Sequence, residues 1–399
     1  GRGDYTTVQA AINAAPANLT SPYLIFIAAG TYNECVYIPK TKPFIHLIGE
    51  NPDRVKIQFA LNRVEEQTNS DTWPYSIHNP NSPARLAGYT TDQNCVVLIK
   101  ATDVYLENIS IINLYGALKS RYDGGLGKGG QAEALCSHYD RLAMNNCKLV
   151  SFQDTWWTRF QKVNGTYGIC RAYVQNSWIE GSTDYIWGSG DVLIENSTFY
   201  NTGNGSFITA SRSNETDAYG YVMKDCTIDG EAGITAFSFG RQQSTSAKAV
   251  FINTALKMDI IDGHWTAGSA APALFGEYNT VDKNNQVIST GDMTVGSGSS
   301  QFTAKVLSAD EAAGYTYENI IAREGWNPKQ YMQTPGTTMA TLDGTTLSWN
   351  AIDGAAGYLI FVNGVYLAQT TETSVSVTTA ADGVYTVRGV GHYGSISAE

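Results

Sequence analysis

Similar phrases recur through the middle of this 399-residue chain: Leu106-Glu107-Asn108-Ile109-Ser110-Ile111, Met144-Asn145-Asn146-Cys147-Lys148-Leu149, Val174-Gln175-Asn176-Ser177-Trp178-Ile179, Ile194-Glu195-Asn196-Ser197-Thr198-Phe199 and Met223-Lys224-Asp225-Cys226-Thr227-Ile228. Phe251-Ile252-Asn253-Thr254 is a degenerate further copy. Each has a strand-like alternation with Asn or Asp at the same place, and copies follow at roughly 20 to 40 residues. Coiled into a solenoid, such strands stack turn on turn and bury one side of each in a continuous core. The Asn amides then fall at one corner and hydrogen-bond into a ladder. The expected architecture is all-β, a right-handed parallel β-helix. The stretch from Thr6 to Pro16 is the one clear amphipathic helix, placed to cap the open N-terminal end against strand addition.

Composition narrows the class. With 43% hydrophobic and 16% charged residues the chain is a folded, soluble protein rather than a disordered one. A formal net charge of −11 argues against a nucleic-acid partner, because phosphate binding needs clustered Lys and Arg. No apolar run is long enough to span a bilayer, and the chain opens at Gly1-Arg2-Gly3-Asp4 without a leader, so it is either cytosolic or has lost a secretion signal. The six cysteines form no CxxC pair and no dense framework, so no zinc site is expected. Cys147 and Cys226 occupy equivalent repeat positions and read as small buried hydrophobes, which leaves one disulfide open elsewhere.

The composition changes after Trp326-Asn327-Pro328 and Thr334-Pro335-Gly336. From there short alternating strands, 346–349, 357–362, 373–377 and 384–387, surround a hairpin turn at Asn363-Gly364. The expected division is a β-helix over 1–334 and a small β-sandwich over 335–399. That last segment resembles a fibronectin type III module, with Trp349 as its core tryptophan and Tyr385 as its late-strand tyrosine.

The chemistry is concentrated in two carboxylates, Asp154 in Ser151-Phe152-Gln153-Asp154-Thr155-Trp156 and Asp184 in Gly181-Ser182-Thr183-Asp184-Tyr185-Ile186-Trp187-Gly188. A charge set among Phe, Tyr, Ile and Trp loses hydration, so it must be paired, protonated or put to chemical use. Taken alone, an Asp beside aromatic residues is usually a turn or a satisfied structural carboxylate. Arg241, in Phe239-Gly240-Arg241, could pair one of them.

Several strings in a fixed order alter that balance: Gly30-Thr31-Tyr32-Asn33-Glu34, Gln131-Ala132-Glu133-Ala134-Leu135, Gln153-Asp154-Thr155, Asp184-Tyr185-Ile186-Trp187-Gly188, Gly240-Arg241, Phe275-Gly276-Glu277-Tyr278-Asn279 and Trp326-Asn327-Pro328. Over roughly residues 1 to 330 the chain resembles the pectin methylesterases, the pectinesterase family of β-helix enzymes. The resemblance implies removal of methyl groups from the galacturonate methyl esters of pectin, without a cofactor or metal, by a secreted enzyme (extracellular, cell-surface or periplasmic) acting as a monomer. An ester hydrolase with no Ser-His pair needs a carboxylate nucleophile, a second carboxyl to move protons, and donors for the oxyanion. Here Asp184 would attack, aimed by Arg241, and Gln131 and Gln153 would donate to the oxyanion. Asp154 would start protonated, with a pKa above that of Asp184.

Sugar faces stack on aromatic rings, which makes Trp265, Trp187, Tyr185, Trp156, Trp157 and Tyr32 the candidate groove residues. The family's Gly-Arg motif continues with Pro-Trp, whereas this chain has Gln242-Gln243 and so lacks one expected ring. The five histidines show no metal spacing and receive no role. Two rivals stand beside the esterase: a β-helix hydrolase or lyase that cuts the pectin chain, and an inactive pectin-binding protein. The acidity of the chain suggests that it repels its own polyanionic product.

Overall fold

The computed structural model describes residues 3–63, 95–159, 167–378 and 383–398. His78 lies outside them. Three sheets, parallel but for the last pair of sheet A (Met293–Val295 with Phe302–Val306), run along a β-helix. Sheet A has 11 strands and sheet B 8, from Gly30–Tyr32 to Ala255–Leu256; sheet C has 7, from Val36–Ile38 to Phe237–Gln242. Each coil passes from A to B to C. Inside, like positions stack: Leu47, Leu106, Met144, Val174, Ile194, Met223 and Phe251 form one in-register column of the core. No helix among the described residues is long and apolar enough to cross a membrane.

Each repeated phrase turns out to be two strands and a corner rather than one strand. Leu106-Glu107 closes a strand of sheet A (Val104–Glu107) and Ser110 begins one of sheet B (Ser110–Asn113), with Asn108 between them at φ 57°. Asn146, Asn176, Asn196, Asp225 and Asn253 repeat this left-handed corner at φ 48° to 55°. Asn tolerates that conformation because its short amide can bond locally. The ladder forms in part. Asn146 donates to Asn108 at 2.7 Å, Asn253 to Asp225 at 2.8 Å and Asn279 to Asn253 at 3.0 Å, while Asn176 reaches Asn145 at 3.1 Å instead of Asn146.

The N-terminal helix is Val8–Ala14, capped by the Thr7 hydroxyl. Its Gln9 amide pairs with the backbone of Tyr37, accepting from N–H and donating to C=O, so it covers the edge strand Val36–Ile38. All six cysteines are buried free thiols, and the disulfide left open in the sequence is not formed.

Sheet A is apolar on both faces. Its outer side chains Ile48, Tyr105, Ala143, Tyr173, Leu193 and Val222 are covered by the segment that carries Tyr317, Ile320, Trp326 and Tyr331. From Ala340 onward, two three-stranded antiparallel sheets face each other across Leu347, Trp349, Tyr358, Ile360 and Val387. Trp349 meets Tyr358 edge-on at 5.3 Å, and Asn363-Gly364 forms the hairpin turn with both φ positive. This unit also packs on sheet A: Phe361 and Tyr366 contact Phe26, and the Ser395 hydroxyl donates to the buried Glu107 at 2.6 Å.

Candidate active site

The bends between sheets B and C carry the predicted residues. Gln131, Gln153 and Thr183 are stacked in parallel register on successive coils, so Asp154 and Asp184, each one residue later, also face each other one coil apart. Adjacent parallel strands lie about 4.8 Å apart, which sets the scale of their separation. Both aspartates have left-handed backbones, φ 58° and 51°, and both are buried, at 2% and 3% exposure.

Arg241 comes from two coils further along sheet C and reaches back. Its Nε donates to Asp184 Oδ1 at 2.9 Å and a terminal NH2 to Oδ2 at 2.6 Å, a two-pronged pairing that fixes the carboxylate plane. The residue in register on the coil between is small, Ala210, which leaves the arginine a path. Gly240 is required for a similar reason: a Cβ there would come within 2.0 Å of the Thr209 hydroxyl and 2.5 Å of its carbonyl oxygen. Phe207 lies under the guanidinium at 4.9 Å, a contact that no sequence motif announced.

Asp154 is treated differently by its surroundings. Burial first, then the negative charges of Glu133 and Asp184, push its pKa up to about 8, against the weaker opposing effects of a hydrogen bond from Gln131 and the charge of Arg241. That bond runs from Gln131 Nε2 to Asp154 Oδ2 at 3.0 Å. Thus the two carboxyls on neighbouring coils stand in different surroundings: burial and like charge favour the protonated form of Asp154, while Asp184 is paired with an arginine. Sequence reasoning missed Glu133; its place two residues after Gln131, on the same side of the chain, is the signal that could have found it.

The aromatic candidates divide by direction. Trp156, Tyr185 and Trp265 are corrected here: they are 0%, 0% and 1% exposed and belong to the core. Trp156 donates its Nε1–H to Ser137, the Tyr185 hydroxyl donates to Asn201, and Trp265 stacks on Phe275 at 4.3 Å, so none presents a face to a sugar. Trp157 and Trp187, in register on the outer face of sheet C, are half-buried with ring centroids 4.7 Å apart. Tyr32 sits three coils before Asp154 and spends its hydroxyl on the Ala28 carbonyl. At the Gln242-Gln243 departure, Gln242 is buried and accepts from the Gly268 N–H, so it serves the backbone rather than replacing the missing ring.

Known proteins share this arrangement of coils. The profile of the family described as Pectinesterase matches residues 1–81 and 77–324. A probable pectinesterase A of Neosartorya fischeri is 27% identical over 82% of this chain and 85% of its own length; pectinesterase 31 of Arabidopsis thaliana is 28% identical over 70% and 79%. Among solved structures, the pectin methylesterase from carrot superposes with a TM-score of 0.63 at 21% identity, covering 82% of this chain and 93% of that one. The fold and the profile match converge: this chain belongs to the pectinesterase family and is a carboxylic ester hydrolase.

Proposed function

We propose that the protein is a pectin methylesterase that hydrolyses galacturonate methyl esters to carboxylates and methanol at the bend between sheets B and C. The observation that carries this reading is the unequal pair: Asp184 clamped by Arg241, and Asp154 one coil away with its pKa near 8. An Asp184 oxygen attacks the ester carbonyl carbon, and Gln131 and Gln153 donate N–H groups to the resulting oxyanion. The tetrahedral species collapses, the carbonyl–methoxy bond breaks, and methanol leaves with the proton of Asp154. Water then attacks the acyl-enzyme, Asp154 takes back a proton, and Asp184 is released as carboxylate. Trp157 and Trp187 offer the flanking surface for sugar rings.

The test is methanol release from methylated oligogalacturonates, with chain length followed in parallel. Methanol without shortening is expected, and Asp184→Asn abolishes it while binding persists. New reducing ends or unsaturated uronates would instead support the chain-cleaving rival, which also uses paired carboxyls. Turnover unchanged in Asp184→Asn would remove Asp184 as the nucleophile.

Pectin as the substrate implies secretion, and the enzyme acts as a monomer in this reading. We place the domain boundary at 334/335 and read the following segment as fibronectin type III-like, supported by its two facing antiparallel sheets and its buried Trp349. Its apolar contact with sheet A favours a fixed brace for the β-helix.

A further inference from the structure

Between the strand that follows Asp184 and the strand that carries Arg241 lies Ser206–Ser211, and its Phe207 stands where the arginine side chain passes. The Phe207 peptide brackets Asp184: its N–H donates to the Ser182 carbonyl at 2.9 Å, and its carbonyl accepts from the Tyr185 N–H at 3.4 Å. On the other side Phe207 is in register with Ser238, three residues before Arg241. Ile208 is fully buried in the core, so Phe207, one residue earlier, turns outward, where it is half-buried. Its ring centroid lies 4.9 Å from the guanidinium carbon of Arg241. An aromatic face attracts a guanidinium through the ring quadrupole and takes up none of its N–H donors.

The guanidinium has little else to hold it. Among the described residues its hydrogen bonds go to Asp184 alone, and its side chain is 34% exposed, so water has access. While Asp184 is a carboxylate, the two-pronged ion pair fixes the arginine. The covalent step removes that charge. As an Asp184 oxygen bonds to the carbonyl carbon and the carbonyl–methoxy bond breaks, the negative charge passes to the methoxy oxygen, which leaves as methanol with the Asp154 proton. Asp184 is then a neutral acyl group, and the ion pair drops to an ordinary hydrogen bond. The contact with Phe207 does not depend on the charge of Asp184 and is unchanged.

We propose that Phe207 is a positioning residue for the second half of the reaction, holding Arg241 in place while Asp184 is acylated. Water then adds its oxygen to the carbonyl carbon and gives a proton to Asp154; the bond from that carbon to the Asp184 oxygen breaks, and negative charge returns to Asp184. A guanidinium already in position stabilises the returning charge. The proposal rests on the esterase reading above and extends it to a residue outside the motif strings.

The experiment follows methanol and product acid separately by rapid quench, with a methylated oligogalacturonate, in wild type, Phe207→Leu and Phe207→Tyr. Methanol reports acylation, so slowed deacylation shows as a burst of about one methanol per active site. Phe207→Leu should lower kcat about 10-fold, lower KM with it, leave kcat/KM within about threefold of wild type and show the burst. Phe207→Tyr, which keeps the ring, should stay within about twofold of wild type. In single turnovers of an Arg241→Gln background, adding Phe207→Leu should change the rate by less than about twofold, because the residue acts through the arginine. A fall in kcat/KM as large as the fall in kcat, without a burst, overturns the proposal by placing the effect before acylation or in the fold. A leucine variant that matches wild type, or a further loss in the Arg241→Gln background, overturns it as well. Failure of wild type to release methanol is a different result: it strikes the esterase reading before any variant is compared, and the proposal with it.

Discussion

Among the corners where the coil turns through the left-handed region, two columns carry opposite chemistry on the same kind of backbone. Between sheets A and B, Asn146, Asn176 and Asn253 sit at φ 51° to 52°; between sheets B and C, Asp184 and Asp154 sit at 51° and 58°. An amide both donates and accepts, so a column of amides satisfies itself. Ionised carboxylates only accept, and two stacked one coil apart repel. The second column is therefore stable only when one member keeps its proton and the other has an arginine. Even Asp225, a carboxylate in the first column, is tied by the Asn253 amide and stays structural. Corner geometry selects short polar side chains, and the neighbours decide between scaffold and reactive pair.

Substitutions can break this contrast. The largest effect is expected from Asp184→Asn, which turns the reactive corner into a scaffold corner: methanol release should fall by about 1,000-fold or more with the fold retained, measured by single-turnover assays and circular dichroism. Removing an oxyanion donor in Gln153→Ala should lower kcat by about 100-fold with little change in KM.

The state of Asp154 gives two pH readouts. It serves as the acid only while protonated, so kcat should decline as pH rises through about 8. Its folded pKa lies above its ordinary 3.8, so the native state keeps a proton that the unfolded chain gives up, and stability falls as pH climbs from about 4 to about 8. Asp154→Asn removes that penalty. Its Tm should exceed that of wild type at pH 8 to 9 by roughly 2 to 5 °C, and the gain should vanish near pH 4. A gain independent of pH would show that repulsion in the second column is not what the substitution relieves.

The smallest effects sharpen the scaffold side. Asn146→Ala should cost about 1 to 2 kcal/mol in denaturant unfolding, from a lost amide bond and a strained left-handed alanine, and Asn146→Gly should cost less because glycine accepts the conformation. Neither should change kcat.

The coil was legible because a left-handed corner selects Asn at each turn, and that choice survives in the phrases around Asn108, Asn146 and Asn176. The cluster of Gln131, Gln153, Asp154, Asp184 and Arg241 was legible as strings in order, though only coiling brings residues 57 positions apart into a 2.6 Å contact. Direction was the difficulty. Trp156 and Trp157 follow Asp154 by two and three residues, but a period of two sends the first inward and the second out. Applied strictly, that period pairs Trp157 with Trp187 and withdraws Trp156; for Tyr185 and Trp265, aromatic character alone carries no information about facing. The docking of the C-terminal unit left no sequence signal either, because the outer face of sheet A reads as one more set of buried strands.

Arg241 reaches its carboxylate across an intervening coil, so the distance it must span is counted in whole coils. Lengthening a connecting loop leaves that count alone, but inserting or deleting one coil between residues 184 and 241 would displace the guanidinium by about 4.8 Å along the axis and part the pair. A lineage built on this scaffold is free to lengthen its loops and is held to a fixed number of coils between these two residues.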